Sequence, residues 1–206
     1  MSKNVLYSKP QQVCYLRASL IILAALSFSF KPIISLLFIA FSELLDMVDG
    51  YLARKTNSVS AFGTIADMLI DRLTPIFCFG MLMVLKPSLM LVWLLLLAAD
   101  LLGHMAMLYC ALLSPSVSHH KQLFVGVNPV LNLYYAEKGI KRSFMVLSIV
   151  FYDLALLALA FNFIWPAVLP TFWLALITML GGIKVYIHLL HLYYSFNLSL
   201  SIHETH

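Results

Sequence analysis

The sequence predicts an all-α integral membrane protein with six transmembrane helices, and three observations carry that expectation. The 206-residue chain is 62% apolar and only 11% charged, with a mean hydropathy of +0.94, whereas a soluble domain averages about a quarter charged residues. Its apolar residues gather into stretches long enough to cross a hydrocarbon core of ~30 Å, which takes about 20 residues of helix. Those stretches lack the alternation of a membrane β-barrel, so helices are the structure that satisfies every backbone group within the membrane.

The elements follow in order. Residues 1–12, MSKNVLYSKPQQ, are polar and suit a short interfacial segment. A first span is expected from about Val13 to Phe30, where Lys31-Pro32 turns the chain. It carries no small-residue cleavage site and runs straight into the next span, so no cleavable signal is expected. The second span covers about Ile33 to Lys55 and the third about Ala61 to Leu85, with Lys86-Pro87 as the next turn. A fourth runs from about Ser88 to Leu113, and residues 114–142 form the long polar connection. The fifth covers about Ser143 to Phe163; after Trp165-Pro166 the sixth runs from about Leu169 to Tyr194, and the tail SIHETH reads as frayed. No internal repeat or low-complexity tract divides the chain, so residues 1–206 read as one transmembrane domain.

Basic residues set the orientation. Lys3, Lys9 and Arg17, then Arg54 and Lys55, then Lys121, Lys138, Lys141 and Arg142 fall on alternate ends of the spans, while Lys31 and Lys86 fall on the other side. The termini, residues 46–71 and the 114–142 loop are therefore expected at the cytoplasmic face. The net charge of +4 belongs to those loops and does not point to nucleic acid. Cys14, Cys78 and Cys110 lie far apart in apolar runs and read as buried hydrophobes, not as a disulfide framework or zinc site.

One stretch stands out from this hydrocarbon: DMVDGYLARKTNSVSAFGTIADMLID, residues 46–71. It holds Asp46, Asp49, Asp67 and Asp71, four of the nine acidic residues in the chain. Asp46 and Asp49 are three apart and Asp67 and Asp71 four apart, so each pair shares one face of its helix. A charge at the centre of a membrane helix costs roughly 2.5–3.5 kcal/mol even on permissive scales. Two facing helices would bring four carboxylates to one point, and such a point needs a cation. An all-oxygen ligand set favours Mg²⁺ or Mn²⁺ over zinc, and four carboxylates can bridge two ions about 3.5–4 Å apart. Gly50 lets a ligand approach closely, and Arg54 supplies a planar cation suited to phosphate. The plainer alternative is a set of solvated aspartates at helix ends.

Read as D-x2-D-G-x2-A-R-x8-G-x3-D-x3-D, with Asp46, Asp49, Gly50, Ala53, Arg54, Gly63, Asp67 and Asp71 at the specified positions, this stretch resembles the signature of CDP-alcohol phosphatidyltransferases. The resemblance implies six transmembrane helices with the signature on the second and third. It also implies that the first three aspartates hold one or two divalent ions gripping the pyrophosphate of a CDP-linked lipid. Asp71 would contribute to the metal site and act as general base on the attacking alcohol. Gly50, Arg54 and Ser60 would contact the CDP-lipid, and members are commonly homodimers. A hydroxyl is a poor nucleophile at neutral pH, so a carboxylate within hydrogen-bond reach suits that chemistry.

Residues outside the signature bear on the acceptor. His120-Lys121, Asn128-Pro129-Val130-Leu131, Tyr134-Tyr135 and the span DLLGHMAMLY resemble the inositol-using, eukaryotic-type members of the family. A neutral polyol needs uncharged or singly charged hydrogen-bonding groups, whereas a phosphorylated acceptor calls for clustered Arg or Lys. The expectation is transfer of a phosphatidyl group from CDP-diacylglycerol to myo-inositol, with inositol phosphate or glycerol 3-phosphate as the alternative acceptors. The membrane would be that of the endoplasmic reticulum in a eukaryote and the cytoplasmic membrane in a bacterium. His119, His120 and Lys121 as a mere interfacial anchor is the plainer alternative.

The remaining polar residues divide between site and scaffold. Glu43 reads either as a neighbour of the metal ligands or as a snorkelling acid. Asp100 and His104 share a face of the fourth span, as a bundle hydrogen bond or as a wall of the acceptor pocket. Arg72 and Lys184 either pair with the acidic centre or snorkel. His188 and His191 read as interfacial, and Asp153 has no candidate partner nearby in the sequence. Two competing classes remain: a cation transporter, which would usually show repeats or broken helices, and a non-catalytic scaffold, which has no reason to keep a carboxylate cage.

Overall fold

The computed structural model describes residues 8–55, 61–113, 127–135, 140–166 and 170–204, and all regular structure among them is helical. Among the described residues there are six long helices: α1 (Lys9–Phe28), α2 (Pro32–Lys55), α3 (Ala61–Leu85), α4 (Met90–Leu113), α6 (Ile140–Ile164) and α7 (Thr171–Glu204); the short α5 (Pro129–Tyr134) lies between α4 and α6. Among the described residues, five helices are long and apolar enough to cross a membrane by length and composition. The exception is α2, whose 24 residues include Glu43, Asp46, Asp49, Arg54 and Lys55.

The expected turns hold. Pro32 opens α2 and Pro87 opens a 3₁₀ turn ahead of α4, positions where the missing N–H costs nothing. Two boundaries differ from expectation. Helix α1 starts at Lys9, so part of the polar opening is already helical. Helix α7 continues to Glu204, through most of the tail that reads as frayed in sequence.

The chain forms two compact units, residues 1–85 with 160–166, and residues 86–159 with 167–206. In the first, α1 packs on α2 through small residues. The Ser35 hydroxyl donates to the Ala24 carbonyl (2.7 Å) and the Ser42 hydroxyl to the Arg17 carbonyl (3.4 Å), with both serines and Ala24 fully buried. As one chain position rises by seven the other falls by seven, so these helices run antiparallel in a heptad-like seam. Apolar packing of α3 is supplied by Cys78, Phe79, Met81 and Leu82, each at most 2% exposed, and Phe77 meets Phe28 of α1 edge-on at 6.3 Å. Pro75 lies inside α3 and cannot donate to the carbonyl of Asp71, four residues earlier.

In the second unit α4 and α7 pack closely. A Cβ at Gly103 would sit 2.6 Å from the His188 carbonyl oxygen, so only glycine lets the two backbones approach this far. One heptad on, the Cys110 thiol donates to the Ser195 carbonyl at 3.2 Å. Here both chain positions rise together, so α4 and α7 run parallel. All three cysteines are buried, as expected.

Candidate active site

In the first unit, Asp46 on α2 and Asp71 on α3 converge on one side chain, Arg17 of α1. Arg17 Nη1 lies 2.7 Å from Asp46 Oδ1, and Nη2 lies 2.7 Å from Asp71 Oδ1. The planar guanidinium suits this because it presents two forked donors to two acceptors at once. The guanidinium is 1% exposed, whereas the carboxylates are 39% and 32% exposed. Arg17 therefore stands behind the aspartates, and its two nitrogens each reach one oxygen of a different carboxylate. Orientation arguments placed Arg17 among the loop cations; it is instead a buried member of this cluster. Glu43, half-buried on α2, is within electrostatic reach of Arg17, Asp71 and Arg72, so it belongs to the neighbourhood of the aspartates.

Asp49, Gly50 and Arg54 fall on α2 and Asp67 on α3, so both aspartate pairs have the helical spacing read from the sequence. The side chains of Asp49, Arg54 and Asp67, the surroundings of Gly50, and Ser60 altogether lie outside the described residues. So do His119, His120 and Lys121. What the structure demonstrates is that the first and last aspartates of the signature, 25 positions apart in sequence, meet around one positive group. Two carboxylates from separate helices converging on a cation fit a divalent ion with oxygen ligands.

A second polar group lies in the other unit. Asp100, fully buried on α4, has Oδ1 3.0 Å from His188 Nδ1 and 3.4 Å from His104 Nδ1. His104 Nδ1 also lies 2.8 Å from the Asp100 carbonyl oxygen, as a protonated nitrogen would. The ligand atoms of Asp100, His104 and His188 are all within 4.8 Å of one another, close enough to hold a metal ion in composition and spacing. Of the two readings of Asp100 and His104, the hydrogen bond inside the bundle is present.

Beside this group, the Tyr135 hydroxyl lies 2.6 Å from His191 Nε2 and 3.4 Å from Met107 Sδ. Burial first, then the neighbouring Tyr134, pushes that hydroxyl above its ordinary range, so it stays protonated. Lys184 donates to the Tyr134 hydroxyl, with its ammonium 4.6 Å from that ring's centroid. Lys184 thus pairs with a tyrosine of its own unit. His188 and His191, expected at the interface, are at most 1% exposed, because α7 continues well past them. Asn128 caps α5 by accepting from Val130 N at 2.8 Å and donates to the Tyr194 hydroxyl at 3.2 Å, so the Asn-Pro pair anchors part of the loop on α7. Asp153 is half-buried on α6.

Comparison with known proteins adds the family. The model of CDP-alcohol phosphatidyltransferases matches residues 7–203. A Candida albicans CDP-diacylglycerol–inositol 3-phosphatidyltransferase is 31% identical over 156 residues, 76% of this chain and 67% of its own length. The Arabidopsis thaliana protein of that name numbered 1 is 37% identical over 131 residues, 63% of this chain and 56% of its own length. The human protein of that name is 32% identical over 139 residues, 66% of this chain and 63% of its own length. No solved structure matches. With the signature complete, its first and last aspartates converging and the match running nearly end to end, the chain belongs to the CDP-alcohol phosphatidyltransferase family.

Proposed function

We propose that this protein transfers the phosphatidyl group of CDP-diacylglycerol to myo-inositol, giving phosphatidylinositol and CMP, as a multi-pass enzyme of the endoplasmic reticulum membrane that works as a homodimer. The observation that carries this reading is the meeting of Asp46 and Asp71 from two helices, within a complete family signature. The names of the relatives support inositol as the acceptor.

Asp46, Asp49, Asp67 and Asp71 would hold two Mg²⁺ or Mn²⁺ ions, which when bound neutralise the pyrophosphate and the leaving CMP. Gly50 leaves room for the phosphates at the α2 backbone, and Arg54 and Ser60 bind the CDP-lipid. Asp71 takes the proton of one inositol hydroxyl through the oxygen it does not give to Arg17. That hydroxyl oxygen forms the new bond to the lipid-bearing phosphorus. The bond from this phosphorus to the CMP oxygen breaks, and CMP departs with the electron pair. Holding nucleophile and phosphorus together makes the step effectively unimolecular.

The test is an acceptor panel with purified protein, CDP-diacylglycerol and Mn²⁺. CMP release is expected with myo-inositol and not with inositol phosphate or glycerol 3-phosphate. Robust turnover with glycerol 3-phosphate and none with inositol would overturn the acceptor while leaving the reaction class in place. No CMP release with any acceptor would favour a transporter or scaffold.

A further inference from the structure

We propose that Arg17 is a positioning residue that holds Asp46 and Asp71 in metal-binding geometry from behind, without touching the substrate. The proposal rests on the reading of the aspartates as metal ligands. Three observations carry it. Arg17 bonds one oxygen of each carboxylate at 2.7 Å, using two nitrogens of a single rigid plane. That ties α2 to α3 through α1, and it fixes the rotation of both carboxylates.

Burial then decides between roles. An arginine that grips an incoming pyrophosphate must be reachable, but Arg17 is 1% exposed while its two partners are about a third exposed. The open side of the cluster belongs to the aspartates. Third, Arg17 is itself held: its carbonyl accepts from Ser42, which is fully buried one helical turn before Asp46 on α2. The guanidinium therefore sits in a braced frame. Groups that hydrogen-bond metal ligands from the far side commonly set metal affinity by about 10–100-fold.

The test measures Mn²⁺ binding directly, by electron paramagnetic resonance of free Mn²⁺, on full-length protein in lipid nanodiscs without CDP-lipid. In Arg17→Met the affinity should fall by about 10–100-fold, and turnover should recover in part as Mn²⁺ is raised, which a merely structural role would not produce. Arg17→Lys keeps the charge but cannot span two carboxylates, so it should fall between the two. It also carries the test alone if the methionine variant does not fold. Unchanged Mn²⁺ affinity in Arg17→Lys and Arg17→Met would overturn the proposal and leave the metal reading standing. Tighter binding in Arg17→Met would overturn it too, by making Arg17 a competitor of the ion. Absence of Mn²⁺ binding by the unsubstituted protein would remove the metal reading, and this proposal with it.

Discussion

Replacing Gly103 with alanine should destabilise the protein, against the direction that helix propensity alone dictates. In an isolated helix the change favours alanine by about 1 kcal/mol. Here the new Cβ would stand 2.6 Å from the His188 carbonyl oxygen and 3.2 Å from its carbon. These are backbone atoms, so no side-chain rotation relieves the clash, and α4 and α7 must part by roughly 0.8 Å to reach ordinary contact. The same movement lengthens the 3.0 Å approach of His188 Nδ1 to Asp100 Oδ1, both fully buried. Overpacking costs about 1–3 kcal/mol, and the lengthened His188–Asp100 contact adds to it. After the propensity gain, a net loss of about 1–2 kcal/mol is expected. Gly182→Ala on α7 is the control: nothing lies within 4 Å of a Cβ there, so it should be neutral or mildly stabilising. Reversible unfolding in mixed micelles, followed by circular dichroism, compares the two variants with the parent. A Gly103→Ala protein as stable as the parent, or an equal loss in Gly182→Ala, would refute the packing argument.

Other expectations concern the aspartates and the buried histidine. Asp49→Asn and Asp67→Asn keep shape and remove charge, so each should abolish metal-dependent CMP release; substantial turnover by either in saturating Mn²⁺ would count against the two-ion reading. Asp71→Asn should lose turnover more than CDP-diacylglycerol binding, as measured by kcat against ligand protection from unfolding; equal losses would make Asp71 mainly a ligand. His188→Ala withdraws a partner 3.0 Å from the fully buried Asp100 and should cost about 3 kcal/mol, the lower end for a broken buried pair, because His104 remains 3.4 Å from the same oxygen. Adding Asp100→Asn should restore part of that loss, and a strictly additive double-variant cycle would show that the two residues are not coupled.

Much of this architecture is legible in the chain because the physics is local. Lys31-Pro32 and Lys86-Pro87 stop and restart helices wherever they occur, and an apolar run of membrane length leaves a helix as its one solution. The aspartates are legible for the same reason, since spacings of three and four share a helix face. Arg17 escaped because its partners are 29 and 54 positions away, and a basic residue near the start of a span also satisfies the orientation rule. The available signal was its depth: an ionisable residue inside a span is a functional candidate by default. His188 and His191 were misjudged because the sixth helix was expected to end at Tyr194. Continuing it to Glu204 moves them from the helix end into its body, where they pack against Asp100 and Tyr135. Gly103 gives no local clue either, since its role is set by a backbone 85 residues away.

The most direct measurement identifies the lipid formed when purified protein is given CDP-diacylglycerol, myo-inositol and Mn²⁺, with CMP quantified in the same reaction. Mass spectrometry should find one phosphatidylinositol for each CMP released, and chelation of the metal should stop both. CMP accompanied by phosphatidic acid in place of phosphatidylinositol, or no CMP at all, would contradict transfer to inositol.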